Sequence, residues 1–163
     1  MVDSLQGHKA RKRFGQNFLV DSFWIDKLAR SVSPKAGDDI LEIGPGKAAL
    51  TRRLIDGAGK VRAVEIDRDL AAWLRDQFSE SLELIEADAL TIDWKTLAEN
   101  VGHLRIVGNL PYNISSPLLF ALLPAADFVI DQHFMLQKEV VDRMAAAPGS
   151  KTTQMAEWMD NEG

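Results

Sequence analysis

Asn109-Leu110-Pro111-Tyr112 brings together an amide side chain, backbone carbonyls and an aromatic ring. Pro111 forbids a helix through the segment and fixes a rigid bend. The asparagine side chain and the carbonyl of Leu110 or Pro111 can accept hydrogen bonds, and a tyrosine can stack on a flat ring. A planar heterocycle with an exocyclic amine satisfies both, which describes a nucleobase. The motif follows Arg105 to Gly108, read as a strand, and precedes a helix-like run from Ser116 to Leu123.

A second group of residues suits a nucleoside. Glu42-Ile43-Gly44-Pro45-Gly46 lies at a strand-to-helix turn. Glycines there let the backbone approach a ligand, and the helix N-terminus favours a negative group. Glu65 closes the second strand, where a carboxylate can take both hydroxyls of a ribose or simply sit in solvent. Asp88 closes the third, where it can accept from an adenine amine or cap a helix. Asp67 and Asp69 are assigned to capping and solvent. Together these residues fit an adenosine-containing cofactor across the carboxyl ends of strands one to three.

Two cofactors satisfy that description, a nicotinamide dinucleotide and S-adenosylmethionine. The strand-four motif decides between them. A dehydrogenase has no need of Asn109-Leu110-Pro111-Tyr112 beside its cofactor, whereas an amine methyltransferase does. The N6 lone pair of adenine is delocalised into the ring and is a poor nucleophile. Two acceptors draw the amine toward tetrahedral geometry, and its lone pair can then displace a methyl group in line. No strong base is required, so catalysis is positioning and electrostatics. Tyr112 would stack on a base that is unpaired or flipped out.

These residues need a scaffold of alternating strands and helices. Strands are expected over Asp39 to Ile43, Val61 to Ile66, Leu82 to Glu86, Arg105 to Gly108 and Ile130 to Leu136. A helix capped by Asp21 or Ser22 runs to Val32, and one bearing Leu50, Leu54 and Ile55 is stopped by Gly57 and Gly59. Asp67 caps another that ends near Phe78. Shorter helices are expected near Lys95 to Asn100 and Lys138 to Ala146. Ser115 or Ser116 caps a helix with Pro117 in its first turn. The alternation predicts an α/β fold, a doubly wound parallel sheet of order 3-2-1-4-5.

Composition narrows the class. The chain has 163 residues, 46% hydrophobic and 26% charged, an ordinary globular makeup. No run reaches membrane-spanning length. With no cysteine, disulfides and thiolate metal sites are excluded, and the three histidines lack ligand spacing. A cytoplasmic, metal-free monomer is the expectation. Net charge is −5, yet Lys9, Arg11, Lys12 and Arg13 form a basic arm over residues 1–13. Such an arm can neutralise phosphates locally or remain a solvated terminus.

Four motifs occur in order: Arg11-Lys12-Arg13-Phe14-Gly15-Gln16-Asn17-Phe18-Leu19, the Glu42–Gly46 turn, Asn109–Ser115, and Phe134-Met135-Leu136-Gln137-Lys138-Glu139-Val140-Val141. Over residues 7–151 the chain resembles the ribosomal RNA adenine dimethyltransferase family, above all its bacterial small-subunit branch. The resemblance implies a Rossmann-like methyltransferase fold over residues 14–151, S-adenosylmethionine as cofactor, and N6,N6-dimethylation of two adjacent adenosines in a hairpin near the 3′ end of small-subunit rRNA, a step in ribosome biogenesis. It implies that Asn17 and Leu19 border the methionine part of the cofactor and that Gly44 contacts it through the backbone. Glu65 would hold the ribose, Asp88 the adenine, and Asn109 would lie between cofactor and target amine. Phe134 is either a second stacking partner or a buried strand-five side chain, and the basic arm becomes an RNA contact.

Two departures stand out. Ala48 occupies a position where many members carry a third glycine. After Lys151 the resemblance breaks off, and residues 152–163 are read as a foreign tail on a truncated or frame-shifted chain, lacking the last strands and a C-terminal helical domain. Weak or no activity on ribosomes is expected of such a fragment. A large-subunit rRNA methyltransferase of the antibiotic-resistance type and a non-catalytic RNA-binding assembly module are the alternatives.

Overall fold

The structure is a computed structural model and describes residues 22–136. Its strands are β1 (Asp39–Ile43), β2 (Val61–Glu65), β3 (Leu82–Glu86), β4 (Leu104–Asn109) and β5 (Val129–Met135). They form one parallel sheet ordered β3-β2-β1-β4-β5, as the alternation predicts. Parallel neighbours need crossovers. These contain α2 (Ala49–Ala58), α3 (Arg68–Phe78), α4 (Trp94–Val101) and α5 (Tyr112–Leu122), while α1 (Ser22–Val32) precedes the sheet. The chain winds outward from β1 to β3, then crosses to β4. That reversal opens a crevice at the carboxyl ends of β1 and β4.

Side chains alternate across each strand, so both faces of the sheet are buried. Leu41, Ile43, Ile106 and Phe134 pack with Trp94, Leu118 and Leu122 on one side. Ile40, Val107 and Met135 pack with Leu28 of α1 and Leu54 of α2 on the other. At the amino ends of the strands, Arg105 binds Asp131 through two bonds of 2.9 Å each and reaches Asp38 at 2.9 Å and the Val32 carbonyl at 2.6 Å. One guanidinium thus ties α1, β1, β4 and β5 together.

Three local expectations are corrected. The helix after β4 starts at Tyr112, with Pro111 at its N-cap (φ −64, ψ 151), and not at Ser115 or Ser116. Proline's fixed φ suits this extended cap. Ser115 is therefore inside the helix, and its hydroxyl donates to the Pro111 carbonyl at 2.7 Å. Pro117 is also interior, so α5 forgoes the bond from residue 117 to the Asn113 carbonyl. Gly57 does not stop α2. It lies within the helix, where a Cβ would come 2.5 Å from the Pro34 carbonyl oxygen, and the stop is Gly59 (φ 85). Finally, β2 ends at Glu65, which leaves Ile66 outside the strand. The basic arm, the loop over residues 14–20, the helix expected at 138–146 and the tail lie outside the described residues.

Candidate active site

The glycine turn is built by backbone geometry. Gly44 (φ 68) and Gly46 (φ 56) adopt left-handed conformations. A Cβ on either would meet nothing within 4 Å, so conformation and not crowding selects glycine. The Gly44 N–H donates to the Val64 carbonyl at 2.9 Å, which ties the turn to β2. Ala48 is also left-handed (φ 74), a conformation costing an alanine about 1 kcal/mol. The third glycine is thus replaced at a position where glycine is the unstrained residue.

Glu65 lies across this turn. One carboxylate oxygen accepts from the Gly46 N–H at 3.2 Å and the other from the Asp67 N–H at 2.9 Å. The residue is 5% exposed. Burial raises its pKa, and the backbone donors oppose that rise. Asp67 caps α3 by accepting from the Asp69 and Leu70 N–H groups. Behind Glu65, Glu42 is 1% exposed and accepts a 2.5 Å bond from the Thr51 hydroxyl. Burial pushes its pKa up to about 8; the Thr51 bond opposes this and the nearby Glu65 adds to it.

Asp88 is a cap: one of its oxygens accepts from the Leu90 N–H at 2.9 Å, opening the short 3-10 turn Ala89–Thr91. A cap occupying one oxygen does not exclude a ligand at the other. Two apolar side chains stand unusually open beside these acids, Ile66 at 49% and Leu90 at 37% exposure. The sequence reading passed over both.

At the end of β4 the bend is braced from below. A Cβ on Gly108 would lie 3.0 Å from Leu110 Cδ2, 3.1 Å from the Ile43 carbonyl oxygen and 3.4 Å from Phe134 Cδ1. Gly108 therefore permits a close approach that sets Asn109 beside the β1 turn. Phe134, at 1% exposure, is the buried strand-five side chain and not an open stacking face. Leu110 is anchored by its N–H to the Met135 carbonyl at 3.1 Å. The Pro111 carbonyl already accepts from the Ser115 hydroxyl and the Ile114 N–H. Among the described residues the Leu110 carbonyl carries no such commitment. Tyr112 is the first residue of α5.

Register brings these pieces to one ledge. Ile43 pairs with Gly108, and Glu65 with Glu86 just before Asp88. Gly44, Glu65, Asp88 and Asn109 thus cluster at the carboxyl ends of four adjacent strands. Asn17, Leu19, Lys9, Arg11, Lys12 and Arg13 lie outside the described residues. Among the described residues, no group of three His, Cys, Asp or Glu is placed to hold a metal, and no helix is long and apolar enough to cross a membrane.

The profile of the ribosomal RNA adenine dimethylase family matches residues 7–158. The chain belongs to this family. It is 59% identical to a ribosomal RNA small subunit methyltransferase A of Bordetella petrii over 144 residues, 88% of this chain and 54% of the relative. The protein of the same name from Acinetobacter baylyi is 59% identical over 90% of this chain and 54% of its own length. The chain thus spans about half the length of the curated relatives it matches. Among solved structures it resembles the 23S rRNA methyltransferase ErmE (31% identity, TM-score 0.69, 84% of this chain, 55% of that one). It also resembles a dimethyladenosine transferase from Plasmodium falciparum (29% identity, TM-score 0.66, 82% and 48%). Both solved structures share the fold of this chain.

Proposed function

We propose that this chain is the catalytic part of an enzyme that dimethylates N6 of two adjacent adenosines in a hairpin near the 3′ end of small-subunit rRNA. The observation that carries this reading is the Asn109–Pro111 bend, set by Gly108 against the glycine turn of β1. S-adenosylmethionine would supply an electrophilic methyl group on a sulfonium. The donor set fits its adenosine half: a buried carboxylate for the ribose hydroxyls, a strand-end acid for the adenine amine, and apolar Ile66 and Leu90 for the ring faces. Glu65 is held rigid by two backbone donors and still has lone pairs for hydroxyl groups. By family resemblance, Asn17 and Leu19 border the methionine end.

On the acceptor side, Asn109 and the Leu110 carbonyl take the two N6 hydrogens. This holds the amine so that its lone pair points across the gap between β4 and β1. The proton left on N6 after transfer passes to solvent. Tyr112 stacks on the extruded base, while Phe134 supports the bend from beneath. Lys9, Arg11, Lys12 and Arg13 contact RNA phosphates. The enzyme acts in the cytoplasm as a monomer and needs no metal.

The 59% identity to small-subunit enzymes, against 31% to a large-subunit one, supports the choice of substrate. The test is primer-extension mapping of unmethylated small subunits after incubation with S-adenosylmethionine, using a full-length relative beside this chain. Paired stops near the 3′ end are expected for the full-length relative, with Asn109→Ala at the matching position lowering the rate roughly 10²–10³-fold. Undiminished methylation by that variant contradicts the mechanism. The absence of stops near the 3′ end of small-subunit rRNA with the full-length relative contradicts the substrate.

A further inference from the structure

Two carboxyl groups meet behind the glycine turn, and the proposed reaction uses only one. Glu65 faces the ledge. Glu42 is enclosed between β1 and α2, at 1% exposure, with the Thr51 hydroxyl as its hydrogen-bond donor at 2.5 Å. Among the described residues, the charged groups on the elements around it do not compensate a negative charge there. On β2 its neighbour is Glu65, with Asp67 just beyond. On α2, Arg52 lies over the rings of Trp73 and Phe78, and Arg53 pairs with Asp26 of α1. Elsewhere on α1, Lys27 lies over the Trp24 ring and Arg30 is exposed. On β5, His133 shares a rung with Glu42 two strands away, across Val107, and lies 3.1 Å from Asp131, which Arg105 binds at the amino end of β4. Lys47, next to the turn, is exposed.

We propose that Glu42 is a proton-exchanging member of the cofactor site, protonated in the free protein and ionised when the cationic methyl donor binds at the glycine turn. The inference rests on reading that turn as the S-adenosylmethionine site. A buried carboxyl beside a second carboxylate and without a cation keeps its proton at neutral pH. That state agrees with its pKa of about 8. The donor carries one net positive charge, counting sulfonium, ammonium and carboxylate. Placed against the residues that directly follow Glu42, that charge favours the ionised form. The proton goes to solvent, and the Thr51 hydroxyl then donates to the anion. Methyl transfer removes the sulfonium charge, so Glu42 regains a proton while the neutral product is bound. Donor is thereby held more tightly than product, and donor affinity rises with pH up to about 8, by at most tenfold per unit for one released proton.

Calorimetry of this chain with S-adenosylmethionine at pH 7, in buffers of different ionisation enthalpy, counts the protons released. Close to one is expected for the donor and distinctly fewer for S-adenosylhomocysteine. Glu42→Gln should bind the donor without release. Infrared difference spectra of the unaltered protein provide a readout free of any folding defect in the variant, through loss of a protonated-carboxyl band on adding donor. Binding without proton release, or equal release by Glu42→Gln, overturns the inference and leaves the cofactor site standing. Failure to bind the donor at all removes the cofactor reading and this inference with it.

Discussion

Glu42 and Glu65 show how position turns one residue type to two purposes. Glu65 ends β2 and Glu42 is the penultimate residue of β1, both next to the glycine turn, but Glu65 has backbone donors and Glu42 has one hydroxyl. A raised carboxyl pKa gives a definite sign. The folded state holds the proton more tightly than the unfolded state, so stability from Glu42 is full below about pH 4.5 and is lost as pH rises through about 8. Glu42→Gln keeps the shape and cannot ionise. Denaturation at pH 6 and pH 9 should show the variant losing less stability than the wild type over that interval; identical losses would refute a buried protonated Glu42. The placement of Glu65 and Asp88 at strand ends was legible in sequence because acids at strand ends are conspicuous. The protonation of Glu42 was not, since it depends on which face of β1 lies under α2. Ile66 escaped because an isolated isoleucine reads as the last residue of a strand.

Among the elements, the bend after β4 depends on what lies beneath it. Gly108 is not in a left-handed conformation, and its importance comes from crowding by Ile43, Leu110 and Phe134. Gly108→Ala must displace one of them, at a cost of roughly 1–3 kcal/mol. We expect a lower denaturation midpoint together with reduced methyl transfer; a variant as stable as the wild type would show that the bend tolerates the methyl. The Arg105 cluster is the second brace. Its side chain is 11% exposed, but Asp38 and Asp131 are open enough for solvent to screen them. Arg105→Met should therefore cost about 1–3 kcal/mol. Burial acts to raise the Asp131 pKa, but His133 and Arg105 outweigh it and hold the group well below the usual carboxylate range. His133 Nε2 lies 3.1 Å from Asp131 Oδ2 but off the line of a hydrogen bond. The stability from Asp131 is present above about pH 4 and lost as pH falls through its lower folded value. Arg105→Met should flatten the acid limb of a stability profile, and an unchanged limb would assign it to other carboxylates. Strand spans and the Asp67 cap could be read from alternation and residue type. The start of α5 could not, because Ser115 and Pro117 look like a helix opening until Pro111 is seen to supply the cap.

For the molecule as a whole, strand order followed from the alternation of elements and right-handed crossovers, and it places Gly44, Glu65, Asp88 and Asn109 together at the carboxyl ends of the strands. The RNA contacts proposed for the basic arm fall outside residues 22–136. The cofactor side can nevertheless be tested with this chain, since the proposed ribose, adenine and acceptor contacts all fall within residues 22–136. Equilibrium dialysis of this chain against labelled S-adenosylmethionine, with Glu65→Ala alongside, is the most direct measurement. Saturable binding to a single site is expected, weakened roughly tenfold or more by Glu65→Ala, as the loss of charged hydrogen bonds to a ribose requires. Binding that Glu65→Ala leaves unchanged, or no binding by the unaltered chain, would contradict a cofactor site at the ends of β1 to β3.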